Sequence, residues 1–507
     1  MRADKQKSGR KYLIISSVGD DSLHEQWLYP SEFRNFDICL HYFGSISGRY
    51  SNQCDYYFES PGFKWKKLKE IIQVLGDKIN QYDAIWLPDD DIRTDARNIS
   101  YMFEIFSEQG FELAQPALTA DSYIAHYVTR INPAYKWRYS HFVECMIPLF
   151  SNKAFKKCWP SFEKSTTGFG LDLIWPKILG YPINKIAVID ETPVTHARPQ
   201  FGGTLYKSAG KDPWNELSSI EQEFQVDRSI LNLPHYDGVP NNHNLLIVLI
   251  AHEKKKVLKK QIENIRFFNP AAGIILYNGG TNKELAKNLD IAECPSSVPL
   301  KWGNLTRVLL DVSIWLKKKD VKYEYLVCFD HDVLFVKHGF ERFLNHVMKD
   351  LDSLGWRLRI QSRGDKLPPS HETSMQKERH IWKHILGTDN LHYYFNNGQV
   401  FRRGIINKIL SSINYSEVTR LIDETEVFAL EEMFFVTRAA ACGGKIGEYP
   451  NGHHYNEAVH NDKEITIDDF NYVINKTDYY WIHPVKGKRL RKLNKKLFGR
   501  GAKSSNK

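Results

Sequence analysis

The feature that most constrains this chain is an apolar strand that ends in three consecutive carboxylates. Ala84–Leu87 (AIWL) has the composition of a core strand, and Asp89, Asp90 and Asp91 follow it after one proline. Carboxylates cannot lie unpaired beside a hydrophobic core without a large desolvation penalty. We therefore expect a positive group at this strand end, and a divalent cation with oxygen ligands is the natural candidate.

The second half of the chain repeats this junction. Tyr325–Phe329 (YLVCF) runs directly into Asp330, His331 and Asp332. A lone Asp-x-Asp motif is weak support for a metal site because acidic turns are common, but two such motifs in equivalent places favour one. A cation held there could carry a diphosphate in its remaining coordination positions and offset charge on a leaving nucleoside diphosphate.

Alternating strands and helices indicate the fold class of the first half. In chain order the apolar patterns predict strand Lys11–Val18, strand Phe36–Tyr42, helix Lys64–Ile79, strand Ala84–Leu87, helix Asn98–Gln109, strand Phe111–Ala117, helix Ile174–Leu179 and strand Ile186–Asp190. This order predicts an α/β domain with a largely parallel sheet. Ligands of such sheets bind beyond the carboxyl ends of the strands, which is where the acids lie.

The second half restarts with the same order of elements. The patterns predict strand Asn244–Ala251, helix Val257–Phe268, strand Ala272–Tyr277, helix Leu305–Lys318, strand Tyr325–Phe329, helix Gly339–Leu351, a turn and strand at Phe395–Phe401 and helix Ala429–Ala441. A chain of 507 residues is also too long for one core. We therefore predict two α/β domains in tandem.

The domain boundaries follow from composition. Residues 1–10 are a polar lead, 11–205 form the first domain, 244–485 form the second, and 486–507 are a basic tail. Residues 206–243 are rich in Gly, Pro, Asn and Ser and lack a long apolar periodicity. We expect them to form a linker that contains one helix at Trp214–Phe224.

Composition favours a soluble globular protein of a reducing compartment. Hydrophobic residues make up 42% of the chain and charged residues 25%, which is ordinary for globular domains. The seven cysteines are scattered without a Cys-x-x-Cys pair, which argues against a zinc cluster or a disulfide scaffold. The N-terminus lacks a signal-peptide pattern, and no run of about 18 apolar residues predicts a membrane span. We expect a cytoplasmic location.

The basic tail has two interpretations. Lys486–Lys503 carries nine Lys and Arg residues and no acid. Apolar residues recur in it at helical spacing, namely Leu490, Leu493, Leu497 and Phe498. A basic amphipathic helix could lie on an anionic membrane surface, which would place the protein peripherally on the inner face of the membrane. The alternative is a solvated tail. Because the rest of the chain is nearly neutral, we do not expect a nucleic-acid partner.

A histidine follows the last strand of each half. His196 stands in TPVTHARP and His483 in YYWIHPVK. Each could be a late ligand of its domain's metal or diphosphate, together with Asp89 and Asp91 in the first half and with the two acids of the second. The alternative for either histidine alone is an ordinary hydrogen-bonded loop residue, and the matched placement favours the ligand interpretation.

Further acids lie between the acidic motif and the histidine in each half. They are Asp172 in the first half, and Glu431 and Glu432 in the second. A carboxylate placed there could act as a general base toward an acceptor hydroxyl. The alternative for the two glutamates is a favourable charge at a helix N-terminus.

Six stretches of the first half together resemble the DUF707 family of proposed glycosyltransferases. They are KYLIISSVGDDSLHEQW, YDAIWLPDDDI, LAQPAL, YSHFVECMIPLF, GFGLDLIWP and AVIDETPVTHARP, and the resemblance covers roughly residues 11–200. It implies a GT-A fold, a metal and donor site at Asp89, Asp90 and Asp91, an acceptor-side acid at Asp172 and a late ligand at His196. Gly19, which ends the first strand, belongs to the expected donor site.

The second half is similar to GT-A transferases in outline. The likeness implies an acidic motif at Asp330 and Asp332, a donor- or acceptor-binding loop around Asn397, a base-bearing helix at LEEMFF and a late histidine at His483. It departs from the usual motif because His331 lies between the two acids. The resemblance thus predicts two GT-A-like, Rossmann-like domains in tandem.

These expectations combine into a bifunctional, metal-dependent glycosyltransferase. Each domain would use Mn²⁺ or Mg²⁺ and a nucleotide-sugar donor, with Asp89 and Asp330 on the donor sites. The acceptor would be a growing surface glycan of the capsule, O-antigen or exopolysaccharide type, or its lipid-linked form. One alternative is a single active domain with a non-catalytic glycan-binding second domain. The other is a metal-dependent hydrolase of nucleotide diphosphates.

Overall fold

The chain divides into two compact units, Met1–Val239 (unit 1) and Pro240–Lys507 (unit 2). The computed structural model describes residues 9–199, 212–252, 254–361, 369–450, 458–460, 463–475, 479–486, 489, 492–493 and 497. Both units combine helices with a large sheet, so the fold is mixed α/β.

Unit 1 is built on a ten-stranded sheet. Its strands are β1 Tyr12–Val18, β2 Phe36–Tyr42, β3 Tyr56–Glu59, β4 Ala84–Trp86, β5 Ile92–Arg93, β6 Leu113–Leu118, β7 Tyr135–Tyr139, β8 Leu149–Ser151, β9 Ile186–His196 and β10 Asp237–Pro240. The spatial order is β10-β7-β9-β6-β8-β4-β1-β2-β3, with β5 on β9. Strands β4, β1, β2 and β3 run parallel, whereas β8, β7 and β5 pair antiparallel. The sheet is therefore mixed rather than largely parallel.

Helices cover both faces of this sheet. They are α1 Lys64–Leu75, α2 Ala96–Glu108, α3 Asn152–Cys158, α4 Leu171–Ile178 and α5 Pro213–Phe224. Alternate residues of β1 enter different cores: Ile14 packs with Phe103 of α2, and Leu13 packs with Leu68 of α1. Because both faces are buried, the central strands read as continuous apolar runs rather than as alternating patterns.

Much of the predicted linker belongs to unit 1. Helix α5 packs on α4, and β10 is the edge strand next to β7. The carboxylate of Glu216 on α5 accepts hydrogen bonds from the backbone N–H groups of Thr166 and Thr167 at 3.1 and 2.9 Å. This polar, glycine-containing segment therefore folds as part of unit 1, because a few of its apolar side chains and Glu216 contact the rest of that unit.

Unit 2 is built on a seven-stranded sheet and two smaller ones. Its strands are β11 Leu245–Ala251, β12 Gly273–Asn278, β13 Ala292–Glu293, β14 Tyr325–Asp330, β15 Leu334–Phe335, β16 Ser353–Gly355, β17 Arg359–Gln361, β18 Leu391–Tyr393, β19 Val400–Arg402, β20 Ile446–Glu448 and β21 Trp481–Ile482. The large sheet has the order β13-β12-β11-β14-β19-β16-β20. Its first four strands are parallel, and β19 is antiparallel to β14.

Two helices of unit 2, Thr306–Lys318 and Phe340–Val347, lie before and after strand β14 in sequence. The helices that the structure describes in this unit are α6 Lys255–Phe268, α7 Thr306–Lys318, α8 Phe340–Val347, α9 Pro369–Leu386, α10 Arg403–Ser411, α11 Tyr415–Glu424, α12 Phe434–Ala441 and α13 Ile467–Ile474. No helix among the described residues is long and apolar enough to cross a membrane.

Two leucines of the predicted tail helix are buried in the core of unit 2. Leu493 is 1% exposed and Leu497 is 5% exposed, and both pack in the same apolar cluster as Val485. These two side chains are therefore not available to insert into a membrane surface. Most of the basic tail, including Leu490 and Phe498, lies outside the described residues.

Most predicted elements are confirmed, and several differ in extent. Strand β9 continues to His196 instead of ending at Asp190, because β5 pairs with its second half. The helix predicted from Lys64 ends at Leu75, where a 3₁₀ turn takes over. The helix predicted over Ala429–Ala441 is a 3₁₀ turn at Leu430–Glu432 followed by α12.

Candidate functional site

Unit 2 brings two carboxylates and one imidazole together at the carboxyl end of β14. Asp330 is the last residue of that strand, Asp332 follows two residues later, and His483 comes directly after β21. One ligand atom from each of these three residues lies within 4.8 Å of the others. Since β15 pairs with β21, with Leu334 opposite Ile482, the two small strands hold the acids beside the histidine.

Asp330 is held by the loop that precedes β19. Its backbone N–H donates to Asn397 Oδ1 at 2.7 Å, and its Oδ2 accepts from Asn397 Nδ2 at 2.8 Å. Asn396 Nδ2 lies 3.5 Å from the same Oδ2. Burial and then the charge of Asp332 raise the pKa of Asp330. Asn397, predicted as a donor-loop residue, thus orients an acid of the motif.

His483 is fixed so that one ring nitrogen faces Asp332. Its Nδ1 lies 3.0 Å from the backbone oxygen of His460, and since a carbonyl can only accept, Nδ1–H donates there. Its Nε2 lies 3.2 Å from Asp332 Oδ1. Burial alone would raise the pKa of Asp332, but the hydrogen bond and charge of His483 hold it below its usual range.

The three residues could hold a divalent cation. The two carboxylates offer oxygen ligands and the imidazole a nitrogen ligand, and the backbone bond at Nδ1 is the usual second partner of a metal-binding histidine. Asp332 Oδ1 is buried and faces His483 Nε2 at 3.2 Å. Lys486 Nζ lies 3.5 Å from the other oxygen of Asp332 and adds positive charge at the edge of the site.

Glu431 lies in a pocket that reaches the same loop. The pocket is lined by Glu431, Thr306, Asn396 and Gln399 with apolar neighbours. The backbone N–H of Leu305 donates to Glu431 Oε2 at 3.1 Å. Burial raises the pKa of Glu431 to about 7. A carboxylate with that pKa can accept a proton near neutrality.

Glu432 has a different environment. Its Oε1 accepts from the backbone N–H of Asn396 at 3.3 Å, and its own backbone oxygen accepts from Tyr394 N–H. It does not line the pocket that contains Glu431. The contacts therefore make Glu431 the better candidate for a base, and they make Glu432 a residue that supports the loop holding Asp330.

Unit 1 repeats the link between acid and histidine. His196 ends β9, and its Nε2 lies 3.3 Å from Asp91 Oδ2. Its Nδ1 lies 2.8 Å from the backbone oxygen of Tyr123, so Nδ1–H donates there. Burial alone would lower the pKa of His196, but the hydrogen bond and charge of Asp91 raise it to about 9. The pair is thus an imidazolium–carboxylate ion pair near neutrality.

The carboxylate of Asp89, predicted as a metal ligand together with Asp91 and His196, is paired with a lysine. The ammonium of Lys64 lies 2.6 Å from Asp89 Oδ1 and 2.9 Å from the backbone oxygen of Leu87. Within the described residues, Asp89, Asp91 and His196 do not bring their ligand atoms together as the acids of unit 2 do. A lysine therefore supplies the positive group that the carboxylates at this strand end require.

Gly19 contacts the third acid of the run. Its backbone N–H donates to Asp90 Oδ2 at 2.8 Å, and Arg198 lies 3.5 Å from the other oxygen. Burial raises the pKa of Asp90 to about 6 although the Gly19 bond opposes the shift. Gly19 was predicted on the donor site, and its observed contact is with this carboxylate.

Asp172 forms a buried acid pair with Glu144. Asp172 lies in the first turn of α4 and is 8% exposed, and Glu144 is 5% exposed and accepts a hydrogen bond from Thr129. Burial raises the pKa of Asp172 to about 7, and the charge of Glu144 adds to the shift. Burial also raises the pKa of Glu144 to about 7. The pair can hold a proton near neutrality.

Sequence reasoning missed Lys64, Glu144 and Asn396. Lys64 begins an amphipathic helix in which lysines are numerous, so nothing in the pattern distinguishes it from its neighbours. Glu144 offers a signal, since it is an acid inside the apolar stretch FVECMIPLF. Asn396 lies beside Asn397, and two adjacent amides before a glycine are a turn signal that can also indicate a ligand loop.

Comparison with known proteins leaves the family open. No protein-family model and no curated protein matches this chain, so the DUF707 resemblance stays a prediction. Among solved structures, the chain is similar to S. aureus TarS, residues 1–349. The match has 8% identity and a TM-score of 0.27, and it covers 36% of this chain and 59% of that chain. The function is therefore argued from the site.

Proposed function

We propose that unit 2 is a divalent-cation-dependent glycosyltransferase that takes its sugar from a nucleotide-sugar donor. The observation that carries the proposal is the convergence of Asp330, Asp332 and His483 at the carboxyl end of a parallel strand. That edge is where open α/β sheets bind nucleotides and phosphates. The nearby Glu431 adds a carboxylate that can exchange a proton with an acceptor.

Each residue of the site has a role in this proposal. Asp330, Asp332 and His483 would hold Mn²⁺ or Mg²⁺, which when bound supplies positive charge against the leaving nucleoside diphosphate. Asn397 orients Asp330 through two hydrogen bonds. Glu431 accepts the proton of the acceptor hydroxyl as that oxygen attacks the sugar.

The proposal extends to unit 1 as a second GT-A-like domain. Its acid run also follows a parallel strand, and His196 contacts Asp91 as His483 contacts Asp332. In unit 1 Lys64 provides the positive charge, and Asp172 is the candidate acceptor-side acid. The two units would add successive sugars to a growing or lipid-linked surface glycan, on the cytoplasmic side of the membrane.

A donor screen tests the proposal. The full chain is incubated with a panel of nucleotide-sugars and Mn²⁺, and nucleoside diphosphate release is measured with and without a mixture of oligosaccharide acceptors. Release that needs Mn²⁺ and rises with acceptor supports a transferase. Release that acceptor does not change indicates the hydrolase alternative. Absence of release from every donor would contradict the proposal.

Isosteric variants assign the activity to a unit. Asp330→Asn with Asp332→Asn removes the cation ligands of unit 2 and keeps side-chain volume, and Asp91→Asn with Asp172→Asn is the matched change in unit 1. If both units transfer sugar, mass spectrometry shows that each double variant lacks one of two additions. If only the first double variant loses activity, unit 1 is a non-catalytic glycan-binding domain.

A further inference from the structure

An exposed tryptophan, Trp302, precedes by three residues Leu305, which lines the Glu431 pocket. Trp302 is 90% exposed, the highest exposure among the large apolar side chains of the described residues. Its ring lies 5.0 Å from that of Phe428, with an angle of 56° between the planes. An indole normally gains stability by burial, so an aromatic pair presented to solvent at the edge of a site indicates a ligand surface.

Hydrogen bonds connect this aromatic pair to the candidate base. The backbone N–H of Ala429 donates to Gly303 O at 2.7 Å, and that of Leu305 donates to Glu431 Oε2 at 3.1 Å. Two neighbouring segments are thus pinned together, with Trp302 and Phe428 at one end and Glu431 at the other. The exposure of Trp302 therefore belongs to an ordered loop.

Gly303 allows the two segments to approach this closely. Its φ is +78°, and a Cβ there would lie 2.4 Å from Cε2 of Phe428. Any larger residue at position 303 would displace that ring. The loop is also tied at its base, since Asn304 Nδ2 donates to the backbone oxygen of Ile422 at 2.8 Å.

The pocket next to this pair contains polar atoms without partners. Thr306 is 1% exposed and lines the pocket with Glu431, and its hydroxyl makes no hydrogen bond within the described residues. Asn304 Oδ1 is likewise buried and unsatisfied there. Buried polar groups normally find partners, so these atoms suit a ligand that brings its own hydroxyl groups.

We propose that the Trp302–Phe428 pair and the Glu431 pocket form the acceptor subsite of unit 2, which binds a pyranose ring. A pyranose has one apolar face of C–H groups, which carry partial positive charge and pack on the negative face of an aromatic ring. Its hydroxyl groups can pair with Thr306, Asn304 and Glu431. This inference rests on the proposed function, because it assigns the sugar that Glu431 would deprotonate.

Sugar binding without donor or metal tests the subsite directly. Saturation-transfer NMR measures binding of the methyl glycosides of glucose, galactose, mannose and N-acetylglucosamine, and of their β-linked disaccharides, to the full chain. For the sugar of this panel that binds most tightly, we expect Trp302→Ala to lower the affinity at least tenfold. We expect Trp302→Phe to retain most of the affinity. Since Trp302 is exposed, neither change should alter the thermal midpoint.

The matched control is an exposed tryptophan of unit 1 that also contacts a phenylalanine. Trp214 is 55% exposed, and its ring lies 5.6 Å from that of Phe169. Trp214→Ala should leave the binding unchanged. Equal affinity of the wild-type chain and Trp302→Ala, or no binding of any panel sugar, overturns the subsite.

Two further measurements separate this inference from the proposed function. At saturating donor and Mn²⁺, the KM for acceptor should rise in Trp302→Ala and should stay at the wild-type value in Trp214→Ala. Sugar binding that depends on Trp302 in a chain without donor turnover would support the subsite and contradict the transferase. If Trp302→Ala instead weakens binding of nucleoside diphosphates, the aromatic pair stacks on the nucleobase of the donor, and the inference is wrong.

Discussion

The ammonium of Lys64 lies 2.6 Å from Asp89 Oδ1, at the strand end where the sequence predicted a metal ion. Only 14% of the Lys64 side chain is exposed, and its ammonium also donates to backbone oxygens, including that of Leu87. In unit 2 the side-chain amide of Asn397 holds Asp330, and Lys486 lies 3.5 Å from Asp332. The two acidic motifs therefore satisfy the same electrostatic requirement in different ways.

The first prediction is that the chain binds one Mn²⁺ and that unit 2 holds it. Titration followed by electron paramagnetic resonance should give one tight site per chain. Asp332→Asn and His483→Ala should each weaken it at least about tenfold, because each removes a ligand of the cluster. Asp89→Asn should have no effect, because Lys64 already occupies that carboxylate.

Lys64→Met provides the complementary test of this prediction. If the lysine is what keeps a cation out of unit 1, removing its charge should create a second, weaker Mn²⁺ site that Asp89→Asn abolishes. Two tight sites in the unchanged chain would show that a cation displaces Lys64 and would contradict the prediction.

The second prediction concerns Glu431 as general base. Glu431→Gln should lower turnover about 10²–10⁴-fold and leave Mn²⁺ binding unchanged. Because the base must be deprotonated and its pKa is raised to about 7, activity should rise as pH increases to about 7 and then level off. The pH profile of donor turnover with acceptor checks both statements.

Glu432→Gln is the matched control for Glu431. It neutralises a neighbouring carboxylate that contacts the Asn396 backbone and does not line the pocket. We expect a change in turnover of less than about tenfold. A larger loss of turnover in Glu432→Gln than in Glu431→Gln would assign the general base to Glu432 instead.

The third prediction is a loss of unit 1 stability between acid and neutral pH. Asp172 has its pKa raised to about 7 in the folded chain, against an ordinary value of 3.8. The folded state therefore binds more protons than the unfolded state in this window, and stability falls as pH rises from about 4 to about 7. Glu144 should contribute in the same direction.

Asp172→Asn should remove the part of this dependence that Asp172 contributes. At pH 8 it should raise the melting midpoint of unit 1 by at least about 2–4 °C, the shift that 1 kcal/mol produces in a unit of this size. At pH 4.5 the variant and the wild-type chain should melt together. Asp83→Asn, at an exposed position, should have no effect at either pH. A midpoint that falls at pH 8 would contradict the assignment.

The fourth prediction concerns the tail leucines. Leu493→Ala should destabilise unit 2 by about 2–5 kcal/mol, because it empties a buried side-chain volume in the core. Differential scanning calorimetry of the full chain measures this, with Leu233→Ala at a 40% exposed position of unit 1 as control. A stable variant that instead loses attachment to anionic vesicles would restore the membrane interpretation of these leucines.

Strands buried on both faces were the easiest part of the fold to predict. The predicted bounds of β2, Phe36–Tyr42, are those of the structure, and β11 differs by one residue. Long apolar runs identify such strands without knowledge of their neighbours. The extension of β9 to His196 depends on pairing with β5, and polar residues such as Glu191 and Thr195 conceal it. Helix α5 was predicted to be part of a linker because its polar residues likewise conceal its packing on α4.

The candidate site was predictable where its residues stand at strand ends. Asp330, Asp332 and His483 each follow or end a strand, so their positions in sequence indicated a shared edge. Lys64 enters its site from a helix and Glu144 from a loop. The spacing of apolar residues in the sequence does not indicate where such side chains point. The contact between Lys64 and Asp89 could not be inferred from the acidic run.

The pairing of Leu334 with Ile482 has a consequence for the newly made protein. Both acids of unit 2 leave the ribosome long before Trp481–Ile482 can pair with β15 and bring His483 beside them. A nascent or prematurely ended chain therefore presents two carboxylates without their imidazole. Such chains should hold a divalent cation weakly and should not compete with finished molecules for it. The three residues thus come together only after β21 has been made and has paired with β15.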